Sequence, residues 1–430
     1  MAAPGPRYGW YGDDFTGATD TLATLAERNI RALLFLRLPT REQRTAAGPL
    51  DAIGLAGATR AMAPDAMAGE LALAGRFFAE TGVGILHYKC CSTFDSAPHI
   101  GSIGAAARAL RPHFPHPLLP VVGGQPNLGR YCLFGQLFAA AGSGGAVHRI
   151  DRHPTMSVHP VTPMAEADLR RHLAAQGLEP VALVDYRAYD RAEAEGALGL
   201  PPGPGPHTVL FDVSRSEDLA VIGALLWARM TEGPMLAIGP SSVALALATS
   251  WPGRRQPAIA SPAPPPRNGP VLALVGSLSP VTRLQVAASS AYAPIGIDAH
   301  CLLSEPAYGL ALAQDAEAIL AGGQNVMLVT EAVRQAPAAA TDVAMATGRL
   351  LQGILSAVAI RRLVIAGGDT ASLAVRSLDI WGLSYRAPLA PGVPLCRAHS
   401  DVARLDGLDI VLKGGQMGPA DFFDAVADPC

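Results

Sequence analysis

This sequence has few of the features that mark specialised classes of protein. Its 430 residues include 6 cysteines and no CxxC pair, which argues against a zinc site or a disulfide framework. No uninterrupted apolar run approaches the ~20 residues that span a bilayer, and the N-terminus lacks the apolar core of a signal peptide. We therefore expect a cytoplasmic protein with reduced thiols and no membrane partner.

Charged and aromatic residues are also scarce, at 16% and 6% of the chain, and the formal net charge is −3. A chain with this balance lacks the basic surface that binds nucleic acid and the aromatic clusters that stack on RNA bases. Hydrophobic residues make up 50% of the sequence, which is enough for the cores of two or three domains. Small molecules, rather than nucleic acid, are the expected partners.

Short apolar runs alternate with helical patterns along most of the chain. Residues 8–11, 84–88 and 271–275 are examples, and they have the length of buried strands. Strands of this kind with helices between them indicate a mostly parallel sheet that is covered by helices on both faces. The predicted fold class is therefore α/β.

A proline-dense segment divides this pattern. Residues 251–270 contain 7 prolines, and proline interrupts both helices and central strands. A new apolar run starts directly afterwards, which favours a linker over a rigid loop within one domain. We predict a first domain at 1–250, a linker at 251–270 and a second domain at 271–430, each with its own mostly parallel sheet, and an interdomain cleft for ligands.

The turn at residues 12–17, Gly-Asp-Asp-Phe-Thr-Gly, follows the first predicted strand and precedes a helix. A loop that cradles phosphate has bare amides and a cation, whereas this turn carries Asp13 and Asp14. Adjacent carboxylates suit sugar hydroxyls, a metal ion or a proton that is to be removed, although one of them could simply cap the helix. We interpret Asp13 and Asp14 as catalytic residues and Thr16 as a substrate contact.

Two further polar turns follow predicted strands of the first domain. Lys89 ends one strand and could contact a carboxylate or a phosphate, and Arg130 offers a planar fork for a carboxylate. Cys91 could act as a nucleophile, but nothing else in the sequence supports a cysteine mechanism, and cysteine is usually a small buried residue. The candidate substrate-binding residues of these turns are Lys89, Ser92, Thr93, Gln125, Asn127 and Arg130.

His153 and His159 lie in a segment rich in Arg, His and Pro. Two histidines could suggest a metal site, but no third ligand accompanies them. We interpret both as hydrogen-bonded structural residues in a rigid loop.

Three glycine turns of the second domain each follow a predicted strand, at 276–282, 367–371 and 413–418. Exposed N–H groups, small hydroxyls and glycines at the carboxyl end of a strand form an anion-binding arrangement. None of the three is a Walker A or GxGxxG motif, so neither the P-loop nor the dinucleotide fold is indicated. The candidate nucleotide-binding residues are Ser277, Ser279, Gly367, Gly368, Asp369, Thr370, Gly414 and Gly415.

Together these segments resemble the four-carbon acid sugar kinase family. The resemblance implies that the first domain holds a sugar acid, that the second holds ATP, and that the γ-phosphate is transferred to a terminal hydroxyl. Mg²⁺ would bridge phosphate oxygens, with Asp369 as the candidate ligand. The matching segments are residues 12–18 with Asp20 (DDFTGA-x-D), 276–282 (GS-x-S-x-x-T), 367–370 (GG[DE]T) and 413–415 (KxG).

The chain departs from the family pattern at one place. Many members carry a KxDST-x-RG segment at the position of residues 89–96, so Cys91 stands where the family has an acid and Asp95 where it has an arginine. This segment, together with residues 123–127 and 152–163, is similar to the 3-oxo-tetronate kinase branch. The resemblance therefore implies phosphorylation of 3-oxo-tetronate at its 4-hydroxyl.

Three alternatives stay open at this point. The chain could be a kinase for threonate, erythronate or a branched apiose-derived acid, a non-catalytic sugar-acid binding protein, or a hydrolase built on Cys91. The sequence does not assign separate roles to Asp13 and Asp14, and it leaves a homodimer open.

Overall fold

The structure of the protein is a computed structural model that describes residues 6–142, 144–159, 161–190, 207–253, 269–276, 279–330, 337–367 and 373–427. Its internal contacts divide the chain into two compact units. The first comprises Met1–Leu33 and Thr40–Ile259, and the second comprises Leu34–Pro39 and Ala260–Cys430. Most of the predicted proline-rich linker, residues 254–268, lies outside the described residues.

The first unit contains a large parallel sheet and a small antiparallel one. Its strands are β1 (Tyr8–Gly12), β2 (Ala32–Phe35, which ends in the second unit), β3 (Ala52–Ala56), β4 (Ile85–Lys89), β5 (Leu118–Val122), β6 (Arg130–Leu133), β7 (Gln136–Ala140), β8 (Val147–Arg149), β9 (Val181–Val184), β10 (His207–Phe211) and β11 (Met235–Gly239). The large sheet has the order β3-β1-β4-β11-β5-β10-β9, and its neighbouring strands are parallel. Strands β6, β7 and β8 form the small sheet.

Helices alternate with the strands of the first unit, as the sequence predicts. They are α1 (Phe15–Ala26), α2 (Arg41–Ala46), α3 (Pro64–Thr81), α4 (Ile103–Leu110), α5 (Leu169–Ala174), α6 (Asp218–Arg229) and α7 (Ser242–Thr249). Every residue of β1, β4 and β11 is buried. Central strands of a parallel sheet are covered on both faces, which explains why these segments are continuous apolar runs rather than alternating patterns.

The second unit contains a mixed sheet in which most of the described strand pairs are parallel. Its strands are β12 (Val271–Val275), β13 (Ala293–Ile297), β14 (Val326–Thr330), β15 (Arg362–Ala366), β16 (Gly382–Ala390), β17 (Val393–His399) and β18 (Asp409–Lys413). Their order is β13-β14-β12-β15-β18-β17-β16, and pairs up to β18 are parallel, whereas β17 and β16 are antiparallel. The helices are α8 (Pro280–Ala288), α9 (Ala299–Ser304), α10 (Pro306–Ala321), α11 (Pro337–Ala357) and α12 (Phe422–Ala427).

One short segment from the N-terminal part of the chain belongs to the second unit. Leu34 and Phe35 pair antiparallel with Leu383 and Gly382 of β16, and the Phe35 ring stacks on Trp381 with 6.0 Å between centroids. The observed architecture confirms the α/β prediction. Among the described residues, no helix is long and apolar enough to cross a membrane.

Candidate active site

Polar side chains of the first unit gather where β1 and β4 end. These strands are neighbours with Gly12 opposite Lys89, and the amide of Asp13 donates a 3.0 Å hydrogen bond to the carbonyl of Lys89. Carboxyl ends of parallel strands meet at one edge of a sheet, which is a common place for a ligand site. The fold therefore brings the acid pair next to Lys89, although the sequence separates them by more than 70 residues.

Asp14 caps α1, and its carboxylate is fully occupied. Its Oδ1 accepts a 2.9 Å hydrogen bond from the amide of Gly17, and its Oδ2 accepts one from the hydroxyl of Thr16. Burial acts to raise the pKa of Asp14, but the cations of Arg60 and Lys89 and these two hydrogen bonds outweigh it and lower the pKa. Asp14 is therefore ionised at neutral pH.

Lys89 reaches Asp14 across a gap that only glycine leaves open. Its Nζ lies 4.0 Å from Asp14 Oδ1, and a Cβ on Gly17 would be 1.8 Å from the same ammonium. The side chain of Lys89 is buried, and the charges of Asp14 and Asp13 raise its pKa against the effect of burial. A protonated lysine in this place is held by the acids and by the absence of a side chain at position 17.

Arg60 is a site residue that the sequence reasoning missed. It lies on a 3-10 turn, Thr59–Ala61, after β3, and its Nη1 is 3.0 Å from Asp14 Oδ2. Its amide also donates to the carbonyl of Asp13 at 3.2 Å. Arg60 thus contacts both residues of the acid pair, one through its side chain and one through its backbone.

Asp13 is buried like Asp14, but its pKa shifts in the opposite direction. Its side chain is buried, and its Oδ1 has no hydrogen-bond partner among the described residues. Burial and the neighbouring charge of Asp14 raise the pKa of Asp13 to about 7. Two adjacent carboxyl groups with pKa values pushed apart in this way are typical of acid–base sites, in which one group is anchored and the other exchanges a proton.

The turn after Lys89 is held by hydrogen bonds to α5 and the segment after it. Phe94 is buried with φ of 53°, a left-handed conformation that is unusual for an aromatic residue. Its carbonyl accepts hydrogen bonds from Ser96 Oγ at 2.9 Å and contacts His172 Nε2 at 3.0 Å, and Gln176 Nε2 donates to Ser96 Oγ at 2.8 Å. This network fixes the turn, and such strained positions are common at functional sites.

Thr93, Asp95 and Cys91 form a short chain of contacts within that turn. The Thr93 hydroxyl donates to Asp95 Oδ1 at 2.8 Å and lies 3.1 Å from Cys91 Sγ. Burial and the charge of Asp95 raise the pKa of Cys91 to about 12, so its thiol is protonated and a poor nucleophile. Ser92 is only half-buried. The raised pKa of Cys91 therefore argues against the hydrolase alternative.

The turn after β5 contributes Gln125 and Arg130. Gln125 is buried, and its Nε2 donates to Asp20 Oδ2 at 3.1 Å. Arg130 donates from Nη1 to the carbonyl of Leu128, while its buried Nε has no partner among the described residues. Burial lowers the pKa of Arg130, and the nearby groups Cys91, Asp20 and Asp95 act in the opposite direction. Asn127 is exposed.

Both candidate histidines are hydrogen-bonded, as predicted. His153 is buried; its Nδ1 accepts from the amides of Thr155 and Met156, and its Nε2 lies 3.3 Å from the carbonyl of Ala140. His159 Nδ1 accepts from the amide of Thr162 at 3.1 Å. Within the described ranges, no group of three or more His, Cys, Asp or Glu side chains is arranged to hold a metal ion.

The three glycine turns of the second unit follow three adjacent parallel strands. Val275, Ala366 and Lys413, the last residues of β12, β15 and β18, are aligned in register. The amide of Gly276 donates to Ala366, and that of Gly367 donates to Lys413, at 2.9 and 2.8 Å. All three turns therefore start at one edge of the sheet.

Hydroxyl groups connect the first of these turns to the third. Ser279 caps α8 and accepts a 3.1 Å hydrogen bond from the amide of Thr282. The hydroxyls of Ser279 and Thr282 both donate to the carbonyl of Gly415, which follows Gly414 and the buried Lys413. The predicted contacts Ser277, Gly368, Asp369 and Thr370 lie outside the described residues.

Two family models match most of this chain. The model of a sugar-binding N-terminal domain matches residues 8–247, and that of a nucleotide-binding C-terminal domain matches residues 272–423. The chain is 39% identical to a 3-oxo-isoapionate kinase from Paraburkholderia graminis, over 97% of this chain and 93% of the relative. It is 32% identical to a 3-oxo-tetronate kinase from Methylobacterium radiotolerans, over 98% of both chains.

Solved structures agree with these sequence relationships. A protein from Salmonella typhimurium LT2 superposes with a TM-score of 0.74 at 26% identity, and the match covers 97% of this chain and 98% of the other. Haemophilus influenzae protein HI1011 superposes with a TM-score of 0.67 at 24% identity over 97% and 98%, which bears on the fold alone. The chain belongs to the four-carbon acid sugar kinase family and is a sugar-acid kinase, a phosphotransferase with an alcohol group as acceptor.

Proposed function

We propose that this kinase transfers the γ-phosphoryl group of ATP to the terminal hydroxyl of a 3-oxo sugar acid, with Asp13 as the general base. Two substrates fit this class. The turn at residues 89–96 favours 3-oxo-tetronate, phosphorylated at its 4-hydroxyl, and the 39% identity to a 3-oxo-isoapionate kinase favours the branched acid 3-oxo-isoapionate. We rank 3-oxo-isoapionate first because its kinase shares more identity than the 32% of the 3-oxo-tetronate kinase.

The unpaired Oδ1 of Asp13 is the observation that carries this proposal. A buried acceptor without a partner is unfavourable unless a ligand supplies the donor. The hydroxyl of a bound sugar acid would supply it and would lose its proton to Asp13 as the bond to phosphorus forms. The raised pKa of Asp13 suits this task, because a general base works best when its pKa is near the working pH.

The substrate carboxylate needs donors rather than acceptors, and Arg130 offers one. Its buried Nε has no partner in the described part of the chain, and arginine binds planar carboxylates well. Asp95 acts electrostatically on both Asp13 and Arg130, which supports the proposal that this acceptor and this donor bind one substrate. A small acid with a hydroxyl at one end and a carboxylate at the other would supply a donor to Asp13 and an acceptor to Arg130. The further candidate substrate contacts are Lys89, Thr16, Ser92, Thr93, Gln125 and Asn127.

ATP would occupy the second unit at the edge where β12, β15 and β18 end. Backbone amides of the glycine turns and the hydroxyl of Ser279 are groups that bind phosphate. Gly367, Gly414 and Gly415 remain candidate contacts there. Mg²⁺, when bound, would neutralise charge on the phosphate oxygens, and Asp369 remains its proposed ligand.

The test is an assay of ADP release with ATP, Mg²⁺ and each acid separately: 3-oxo-isoapionate, 3-oxo-tetronate, threonate and erythronate. We expect kcat/KM for one of the two 3-oxo acids to exceed that for threonate and erythronate by at least about 100-fold, because polar groups left unpaired by the wrong substrate weaken transition-state binding. Phosphorus NMR of the product would locate the phosphate on the terminal oxygen. ADP release above background with none of the four acids would favour the non-catalytic binding protein instead.

A further inference from the structure

Lys413 is a buried cation in the second unit, and its partners among the described residues are all neutral. It is the last residue of β18, and its side chain is fully buried. Its Nζ donates hydrogen bonds to Thr282 Oγ1 at 3.0 Å and to the carbonyl of Gly414 at 3.1 Å. It also lies 5.6 Å from the centroid of the Phe422 ring.

No negative charge balances this ammonium in the described part of the chain. Burial is the cause that lowers the pKa of Lys413 to about 8, and no ionisable group among the described residues acts against it. A buried charge with neutral partners destabilises the native state. Such residues are therefore candidates for a functional role, in which a ligand supplies the missing charge.

The chain's use of lysine supports a specific role. Of its 33 Lys and Arg residues, only Lys89 and Lys413 are lysines; every other cation is an arginine. Each lysine is the last residue of a strand that pairs parallel with a neighbour, and both are buried. A lysine offers a compact point charge, whereas the guanidinium of arginine is a wide planar fork. Lys89 already lies beside carboxylates, whereas Lys413 has no carboxylate partner in the ranges that the structure describes.

The position of Lys413 indicates the class of anion that it would meet. The turns that begin at Gly276, Gly367 and Gly414 start at the same sheet edge, and the hydroxyls of Ser279 and Thr282 contact the loop next to Lys413. Amides, hydroxyls and one compact cation at the carboxyl end of parallel strands suit a polyphosphate.

We propose that the ammonium of Lys413 binds the phosphates of ATP and balances part of their negative charge. This inference rests on the use of ATP in the proposed function but not on the identity of the sugar acid. Phosphate oxygens near Nζ favour the protonated lysine, so nucleotide binding raises the pKa of Lys413. By linkage, the protonated enzyme binds ATP more tightly than the deprotonated one.

The two lysines permit a direct measurement on the full-length protein. Carbon-13 labelling at lysine Cε gives two side-chain resonances, which Lys413→Arg assigns. Without nucleotide, we expect the Lys413 resonance to titrate near pH 8. A non-hydrolysable ATP analogue with Mg²⁺, and no sugar acid, should raise that pKa by at least one unit, which is equivalent to a tenfold preference for the protonated form. The Lys89 resonance is the internal control and should not move.

Lys413→Met separates ligand binding from a purely structural role. We expect it to weaken binding of the ATP analogue at least tenfold by calorimetry, while the melting temperature without nucleotide stays equal or rises, because an unbalanced charge is removed from the interior. Lys89→Met should keep the affinity for the analogue. A Lys413 pKa that is unchanged by bound analogue would overturn the proposal, and so would a Lys413→Met variant that melts earlier but binds the analogue like the wild type.

Discussion

A Cβ atom on Gly17 would lie 1.8 Å from Nζ of Lys89, so the ammonium occupies space that any side chain at position 17 would fill. We predict that Gly17→Ala lowers kcat/KM at least ~100-fold, on the scale of displacing a positioned catalytic group. The new methyl group would push away the flexible end of Lys89 and crowd Asp14 Oδ1, which would be 2.6 Å from it. Steady-state kinetics on the purified variant tests this prediction.

Gly69→Ala is the matched control for that substitution. Gly69 is exposed in α3, and a Cβ there would meet nothing within 4 Å. Alanine in a helix should stabilise the protein by about 0.5–1 kcal/mol and leave kcat/KM unchanged. If Gly17→Ala turned over substrate like Gly69→Ala, the placement of Lys89 would have no part in the reaction.

Asp13→Asn should lower activity and raise stability together. The amide cannot accept the substrate proton, so we expect kcat to fall at least ~100-fold. The pKa of Asp13 is raised in the folded protein, which means that its ionised form opposes folding above that pKa. The variant should therefore unfold at a higher denaturant concentration than the wild type at pH 8. A variant that loses stability and keeps its turnover would contradict both parts.

The same pKa sets the pH dependence of the wild-type enzyme. Asp13 must be deprotonated to act as a base, so kcat/KM should rise with pH and level off above about 7. The contribution of Asp13 to the free energy of unfolding should change with pH in the opposite direction. The reason is that the unfolded chain releases this proton near pH 3.8, whereas the native protein holds it up to about pH 7. Between those pH values the native state binds more protons, and this group's contribution to stability falls as pH rises. Asp13→Asn should remove that component, as denaturation curves at pH 5 and 8 would reveal.

Arg60→Gln tests whether the guanidinium of Arg60 sets the pKa values of Asp13 and Asp14. Arg60 lowers the pKa of Asp14 and of Asp13, so its removal should move the acidic limb of the kcat/KM profile to higher pH by about one unit. Arg60→Lys should restore most of the wild-type profile because it returns the charge. Arg76→Gln, at an exposed position of α3, is the neutral control. If Arg60→Gln reduced stability but left the acidic limb of the kcat/KM profile at the same pH, the role of Arg60 would be structural only.

Local patterns in the sequence indicate the candidate site residues that lie where apolar strands end. Asp13 and Asp14 follow the apolar strand β1, Lys89 is the last residue of β4, and polar residues at such points meet at one sheet edge. Arg60 gave no comparable signal, because it lies on a short 3-10 turn and reaches Asp14 only through tertiary folding. The sequence pattern places Lys413 only at the start of a glycine turn, because its burial depends on packing from α8 and α12 that no local pattern reveals.

The alternation of strands and helices likewise predicts the α/β class but not the antiparallel strands β16 and β17 of the second sheet. Strands β16 and β17 are joined by a short turn, which suits an antiparallel pair rather than a crossover. The place of residues 34–39 in the second unit was also unpredictable, because Leu34 and Phe35 pair with residues almost 350 positions away. Pairings over such a distance leave no mark on local periodicity.

Phe35 gives this long-range pairing a direct test. Its side chain is fully buried, and its ring stacks on Trp381, so Phe35→Ala should destabilise the second unit by about 3–5 kcal/mol. Phe35→Leu, which keeps most of the volume, should cost less than half as much. Hydrogen exchange measured by mass spectrometry should accelerate in peptides that cover Trp381 and β16, where Leu34 and Phe35 form backbone pairs, and remain slow in β12 and β15 until global unfolding. If Phe35→Ala left the protection of β16 from hydrogen exchange unchanged, the stability of this strand would not depend on its pairing with Leu34 and Phe35.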